Sequence, residues 1–528
     1  MALRAMRPWL WVVLLLGLAV RLVQIGEPLI DKQAWRQTDT AAVARNYYEE
    51  GYDLFWPRID WRGTTPGYVE MNFPLYPYLV AGLYSLADGA YEWLGRLFSA
   101  LCSVTTAVLL YWLAKRLFAD ELTGILAAFF FLFSPLNIYF GRVFMPEPLM
   151  LLLSVAALLC FDRWAESGRH LDGFLAVMSA ALCFMVKIPT LYLGFALVAL
   201  SLDRWGVRFI LRLPLWIYLV LVLSPAALWY WHAAELFAET GLTFGIWNRY
   251  GYDKWSQDVL ATPDFYKEMV WRFVHSVYTP IGALFVLLGL QLARSSRRSW
   301  VLWGWFGGLI LYLWLVPEGN RKLHYYQLPF VPVGALLAAS SLAAIYKGEW
   351  RLSSARNWRR GQRVGLLVVV LGATVVYSAG AVGPYYEQPN NIHVYYTSCY
   401  ETGRIADAKL PTDALLVVGD LDDNAGTPFR AQSPTLLYYC HRKGWQITPD
   451  EFAVDRLDSL SALGADFFLT ATAFATGNPV FWRDLLQRGV STPSAYPRLW
   501  TDERAFRKYL SRQKTKDRHF VLVALNRR

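Results

Sequence analysis

Apolar runs about long enough to cross a bilayer recur through the first three quarters of the chain and leave it few ways to fold. Roughly 18 or more apolar residues span the hydrocarbon core as a helix, and lipid admits only helices or closed barrels because every backbone polar group must be satisfied internally. Such runs occupy residues 8–26, 94–114, 120–140, 146–162, 171–186, 189–203, 211–232, 273–293, 299–316, 326–346 and 364–383. With 55% hydrophobic and 17% charged residues in 528, the composition is too apolar for an ordinary soluble domain of that length. The chain reads as a polytopic α-helical membrane protein of about eleven transmembrane helices. Residues 171–203 also read as one kinked unit and 74–92 as an extra span, and thirteen is the next count that keeps the same topology.

The first run is long for a signal-peptide core, and the VQIGEP that follows offers no small-x-small cleavage site, so residues 1–7 read as a cytoplasmic tail. Basic residues then mark alternate links: Lys115 and Arg116; Arg163 and Arg169; Arg204, Arg208 and Arg212; Arg294, Arg297 and Arg298; and Lys347 through Arg363. The positive-inside bias places these links in the cytoplasm. The net charge of +10 is thus a topology signal, and no basic groove motif points to nucleic acid. The expected location is the cell (inner) membrane, multi-pass, with the N-terminus cytoplasmic and everything after about residue 384 extracytoplasmic.

On that topology residues 1–383 form the transmembrane domain, residues 27–92 its first extracytoplasmic loop with juxtamembrane amphipathic helices, and residues 384–528 a small soluble α/β domain. Short apolar strands are expected at 414–418, 435–439, 467–470 and 520–525, alternating with helical patterns at 400–409 and 481–488. GDLDD at 419–423 reads first as a polar loop at a strand end and second as a metal-and-diphosphate motif. Cys102, Cys160 and Cys183 read as small buried hydrophobes. Cys399 and Cys440 lie in the outward, oxidising region, where a disulfide and two free thiols both remain open.

The polar stretch 27–73 is where chemistry is expected. In WRQTDTAAVARNYYEEGY, residues 40–50 are helix-compatible and amphipathic, with Gly51 suited to the stop. This helix is expected to lie along the membrane surface. Asp39 is either its N-cap or a carboxylate presented to an acceptor. Glu70 sits in PGYVEMNFPLYPYL, where a carboxylate beside an apolar run is costly to leave ionised and alone. It is either an interfacial Glu or a second catalytic acid. Three further groups fall at outward span ends: Arg142 and Glu147 in GRVFMPEPLM, Lys187 in FMVKIPTLYL, and Glu318, Arg321, Lys322, His324, Tyr325 and Tyr326 in EGNRKLHYYQLPF. A Lys in a span costs roughly 2.5–3.5 kcal/mol on insertion scales, which makes it a functional candidate. Outward cations ask for an anionic partner such as a lipid-linked phosphate. Aromatic-belt anchoring is the other reading of the two tyrosines.

The order of these pieces is similar to that of the integral-membrane glycosyltransferases of the C-type fold (GT-C), in the branch of protein O-mannosyltransferases and the bacterial aminoarabinose lipid A transferase. The resemblance covers roughly residues 8–345. It rests on one span, a long acidic outward loop, then VEMNFPLYPYL, WLAKRLF, PEPLM, VKIP and HYYQLPFVPV in sequence. It implies an enzyme that transfers a sugar from a polyprenyl-phosphate-linked donor to a glycan, lipid or protein acceptor on the extracytoplasmic face, commonly with inversion. It maps the first-loop carboxylate to Asp39 and the Glu of a Glu-x-Pro-like element to Glu70. Lys187 is similar to the lysine near the donor phosphate, with Arg142, Lys322, His324 and Tyr326 as partners of phosphate or sugar. Many members carry an Asp-Glu pair where this chain has Arg36-Gln37, and the Glu70–Pro74 interval is one residue longer than usual. No His/Cys ligand cluster supports a metal, and no cofactor is required, because the leaving group is already a phosphate. The alternative is a multispan transporter or flippase of a polyprenyl-linked or other glycolipid. A transporter would carry its ionisable residues near the midplane, whereas here they gather at the outer ends.

Overall fold

The computed structural model describes residues 8–246, 254–292, 298, 300–349, 358–386, 391–419, 434–447, 451–471, 480–481, 484 and 520–525. The chain forms two compact units. One combines Met1–Glu27, Trp93–His232 and Asp253–Tyr386; the other combines Pro28–Glu92, Ala233–Tyr252 and Glu387–Arg528. The first loop, grouped with the spans in the sequence reading, packs here with the C-terminal region.

The first unit is helical. Among the described residues five helices are long and apolar enough to cross a membrane: Glu92–Phe118, Glu147–Ser167, Leu213–Thr240, Phe330–Lys347 and Arg360–Tyr386. Shorter apolar helices Pro8–Arg21, Glu121–Leu132, His170–Val186 and Trp300–Leu315 fall on other expected runs, and Leu193–Trp205 falls on 189–203. Two expected spans are broken. Residues 120–140 divide into Glu121–Leu132 and Pro135–Phe140, with Ser134 capping the second piece through Asn137 N. Residues 273–293 bend by 105° between Val277 and Pro280. Proline lacks the N–H and disfavours helical geometry in the residue before it, which interrupts the helix at Pro280, and Thr279 takes the left-handed φ of 66° at the bend.

Basic links assigned to one side of the membrane meet in this unit. Arg116 and Arg298 both pair with Asp162, Arg298 also reaches Asp203 at 2.9 Å, and Arg204 donates to the Ala165 carbonyl at 3.1 Å. These helix ends therefore share one end of the bundle. Large apolar side chains on Leu213–Thr240, among them Trp216, Val220, Leu228 and Trp231, are exposed, as on a lipid-facing helix.

The second unit joins two helical layers to a four-stranded sheet. The strands are β1 (Leu415–Gly419), β2 (Lys443–Ile447), β3 (Phe467–Ala471) and β4 (Phe520–Ala524), in the order β2-β1-β3-β4. β1 runs parallel to β2 and β3, and β4 antiparallel to β3. Three expected strands form, and β2 is additional. Residues 435–439 are not a strand but the helical turn Thr435–Tyr439, started after Pro434. Helix 391–409 covers the expected 400–409; of 481–488, most lies outside the described residues, as do Asp420, Leu421, Asp422 and Asp423 of GDLDD. Gly444 in β2 has φ 153°, and a Cβ there would lie 1.8 Å from the Leu416 carbonyl oxygen, so only glycine fits. Cys399 and Cys440 are unbridged and buried in one apolar core with Leu416, Leu437 and Leu469.

Candidate functional site

The second unit holds the two candidate carboxylates. The first-loop helix runs Ala34–Glu50 and stops at Gly51, which takes φ 117°. It starts six residues before the expected 40–50 helix, so Asp39 lies in its interior and is not an N-cap; the cap position is Gln33. Nor does the helix keep one wet face, as an amphipathic surface helix would, since nearly every residue from Ala34 to Tyr47 is buried. Its polar groups are met by protein. Arg45 binds Asp60 at 2.5 Å and the Tyr438 carbonyl at 3.0 Å, Lys443 of β2 reaches Asp60 at 2.6 Å and also binds Asn46, and Thr38 meets Thr435 at 3.2 Å. Burial opposes ionisation of Asp60, but Arg45 and Lys443 outweigh it and hold its carboxyl below the ordinary range.

Asp39 is 4% exposed. Trp61 Nε1 donates to its Oδ1 at 3.1 Å, and among the described residues no donor takes Oδ2. Burial raises the carboxyl from 3.8 to about 7, against the Trp61 hydrogen bond and the Arg36 charge and with a small push from Asp60. A carboxyl near neutrality, held on one oxygen and open on the other, suits proton acceptance. Glu70 is fully buried and tied to the 242–244 segment: its N–H donates to the Leu242 carbonyl at 3.0 Å, its carbonyl accepts from Phe244 N at 2.9 Å, and Thr243 Oγ1 donates to its Oε2 at 2.5 Å. That is the setting of a strand-like anchor as much as of an acid.

The first unit holds a separate cleft. Helix Glu147–Ser167 turns at Gly168 into the antiparallel helix His170–Val186, so the far ends of one hairpin meet. Pro146 and Pro148 fix the start of the first helix, where an acidic residue suits the dipole. Pro189 ends the second: Lys187 is extended, at φ −158° and ψ 101°, before the short helix Ile188–Tyr192. Lys187 Nζ thereby pairs with Glu147 Oε1 and lies over the rings of Tyr325 and Tyr326 at 4.9 and 5.0 Å. Met150, Pro189, Thr190, Tyr192, Tyr312 and Pro329 complete the lining. Glu147 Oε2 is buried with no hydrogen-bond donor among the described residues.

Four expected donor-side residues, Glu147, Lys187, Tyr325 and Tyr326, are thus brought together. The others are not part of this lining. Arg142 is fully buried, donates to the Gln24 carbonyl at 3.3 Å and stacks on Tyr139 and Tyr386. Arg321 and Lys322 pair with Glu318 at 2.5 and 3.5 Å, and His324 packs beside Tyr385. Sequence reasoning missed Trp61, Thr243, Tyr192 and Tyr312, whose roles depend on contacts far along the chain. Among the described residues no three His, Cys, Asp or Glu side chains gather as a metal-holding group.

Residues 71–231 match the family described as dolichyl-phosphate-mannose-protein mannosyltransferase, a stretch that contains Glu147 and Lys187. No curated protein sequence matches the chain. Among solved structures, ArnT from Cupriavidus metallidurans superposes with a TM-score of 0.60 at 14% identity over 98% of both chains. The Archaeoglobus fulgidus oligosaccharyltransferase AglB, solved with an inhibitory peptide and a dolichol-phosphate, gives 0.51 at 14% identity over 91% of this chain and 71% of its own. Mycobacterial arabinofuranosyltransferase AftD gives 0.53 at 15% identity over 99% of this chain and 42% of its own. The chain has the fold of the GT-C membrane glycosyltransferases, and across residues 71–231 it matches their dolichyl-phosphate-mannose-protein mannosyltransferase family.

Proposed function

We propose that this protein transfers a sugar from a polyprenyl-phosphate-linked donor to an acceptor at the extracytoplasmic face of the cell membrane, with inversion. The observation that carries the reading is the cleft in which Lys187, held by Glu147, lies over Tyr325 and Tyr326. A buried cation at the end of an apolar helix costs free energy to install, and a phosphate on a lipid carrier is the anion such a site would receive. The dolichol-phosphate held by AglB supports the same class of donor.

In the proposed reaction the acceptor oxygen attacks the anomeric carbon, and the bond from that carbon to the phosphate oxygen breaks with its electron pair leaving on the phosphate. Lys187 stabilises that charge, an effect that a water-poor site strengthens. Glu147 orients Lys187 and offers Oε2 to a sugar hydroxyl. Asp39 takes the acceptor's proton on its open oxygen, and Glu70 holds the 242–244 segment in place. Arg142, Arg321, Lys322 and His324 support the surrounding structure in this reading.

The test is incubation of purified protein with radiolabelled polyprenyl-phosphate sugars and membrane extract, followed by identification of the labelled product. Wild type should label an acceptor, while Asp39→Asn and Lys187→Ala should each lose transfer and remain folded in the membrane. Near wild-type turnover in both variants would sink the site assignment. Absence of both transfer and hydrolysis from every such donor would favour a transporter instead.

A further inference from the structure

In the second unit Arg36 is a buried cation with neither a hydrogen-bond acceptor nor an ion-pair partner among the described residues. Arg36 lies in the first turn of helix Ala34–Glu50 and is 7% exposed. Among the described residues its side chain makes no hydrogen bond, its Nε is buried without an acceptor, and no carboxylate oxygen lies within 4.0 Å. That Nε donor has lost water without gaining an acceptor, which is costly. Phe244 lies under the guanidinium, its ring centroid 5.1 Å from Cζ, a cation–π contact that leaves the N–H donors without acceptors. Asp39 is the carboxyl whose charge couples to Arg36, and burial holds that carboxyl at about 7, so the balance is partial. The helix has no side-chain N-cap and no acidic residue in its first turn, so its dipole adds positive potential at the same place. Asp31, the nearest carboxylate on the N-terminal side, accepts from Gln37 at 2.6 Å.

We propose that Arg36 binds an oxyanion, a carboxylate or phosphate group carried by the sugar acceptor. The planar fork matches either group bidentately. Acceptor rather than donor follows from position: Arg36 is three residues from Asp39, on the neighbouring turn of the same helix, and this assignment rests on the reading of Asp39 as the group that takes the acceptor's proton. An acceptor anchored by its anion on Arg36 presents its hydroxyl to the open oxygen of Asp39. The near-neutral carboxyl of Asp39 agrees with this, since it leaves the Arg36 charge incompletely balanced until the anion arrives.

The experiment uses the full chain in phosphatidylcholine nanodiscs, as wild type, Arg36→Gln, Arg36→Lys and Lys187→Gln. Thermal unfolding is followed against inorganic phosphate, with sodium chloride at matched ionic strength as control, and binding of farnesyl phosphate is measured in parallel. Phosphate should stabilise wild type and Lys187→Gln. Its apparent dissociation constant should rise on the order of tenfold in Arg36→Gln, the loss of a charge-assisted hydrogen bond, with Arg36→Lys between. Without anion, Arg36→Gln should unfold at or above the wild-type temperature, because it removes an uncompensated buried charge. An unchanged phosphate response, or a lower unfolding temperature without anion, overturns the proposal. Loss of farnesyl phosphate binding in Arg36→Gln to the extent seen in Lys187→Gln overturns the acceptor assignment in favour of the donor's phosphate. Failure of wild type to bind farnesyl phosphate sinks the donor reading of Lys187 while leaving the Arg36 result readable.

Discussion

Replacing Trp61 by Phe probes how the Asp39 carboxyl is tuned. The indole N–H donates to Oδ1 at 3.1 Å, and a hydrogen bond to a charged group contributes roughly 1.5–3 kcal/mol. That donor favours the ionised carboxylate, so its removal must push the Asp39 carboxyl above its present value of about 7. At 1.36 kcal/mol per pH unit, the full effect moves the acidic limb of the rate profile up by roughly 1 to 2 pH units. Water admitted beside a smaller ring recovers part of the bond, so about one unit is expected. At pH 7 the ionised fraction then falls from about one half to about one tenth, and kcat with it, while the rate well above pH 8 recovers. Phe keeps much of the packing against the cores on which Trp61 rests, and Trp61→His, which keeps a ring N–H, should restore much of the profile. The assay is initial transfer from labelled donor across pH. A limb that does not move in Trp61→Phe, with Asp39→Asn inactive, would refute the claim that the indole tunes the base.

Asp39→Asn should stabilise the protein at pH 8 by an amount whose upper bound is on the order of 4 kcal/mol. The folded carboxyl lies above its ordinary 3.8, at about 7, so the cost of ionising it is absent below about pH 4 and complete above about pH 7; denaturant midpoints that show no such gap would contradict this. Asp60→Asn should cost about 3–5 kcal/mol, because it leaves the buried Arg45 and the half-buried Lys443 beside a neutral group; limited proteolysis of the first loop is the readout. Asp60 is held below its ordinary range, so its contribution is present above about pH 4 and fades as pH falls through the lower folded value. Lys187→Met should destabilise by stranding Glu147, and adding Glu147→Gln should recover the unfolding temperature without recovering transfer.

What could be read from sequence was local. VKIP contains its own helix stop, and MPEPLM its own helix start, so Lys187 and Glu147 were visible before their meeting was. The same locality misled elsewhere. TLLYY carries strand-forming residues, yet Pro434 and packing on helix Ala34–Glu50 make it a helical turn. KGWQI alternates only at Trp445 and Ile447, too short a pattern to mark a strand, and β2 forms because Gly444 fits against β1 and its N–H and carbonyl also meet the 60–63 turn. The N-cap reading of Asp39 failed because AWRQT, polar as it is, is helical and buried by residues hundreds of positions later. Trp61 holding Asp39 and Thr243 holding Glu70 are tertiary facts that no window of sequence contains.

The pairing of Asn46 and Asp60 with Lys443 sets an order in time. The chain delivers Lys443 397 residues after Asn46, and at about 5–20 residues per second roughly 20–80 seconds pass between them. For that interval the helix that bears Asp39 has Arg45 and Asp60 lacking part of their network. Chaperones and proteases meet it in this state, so substitutions in β2 should alter the amount of protein recovered before they alter its turnover.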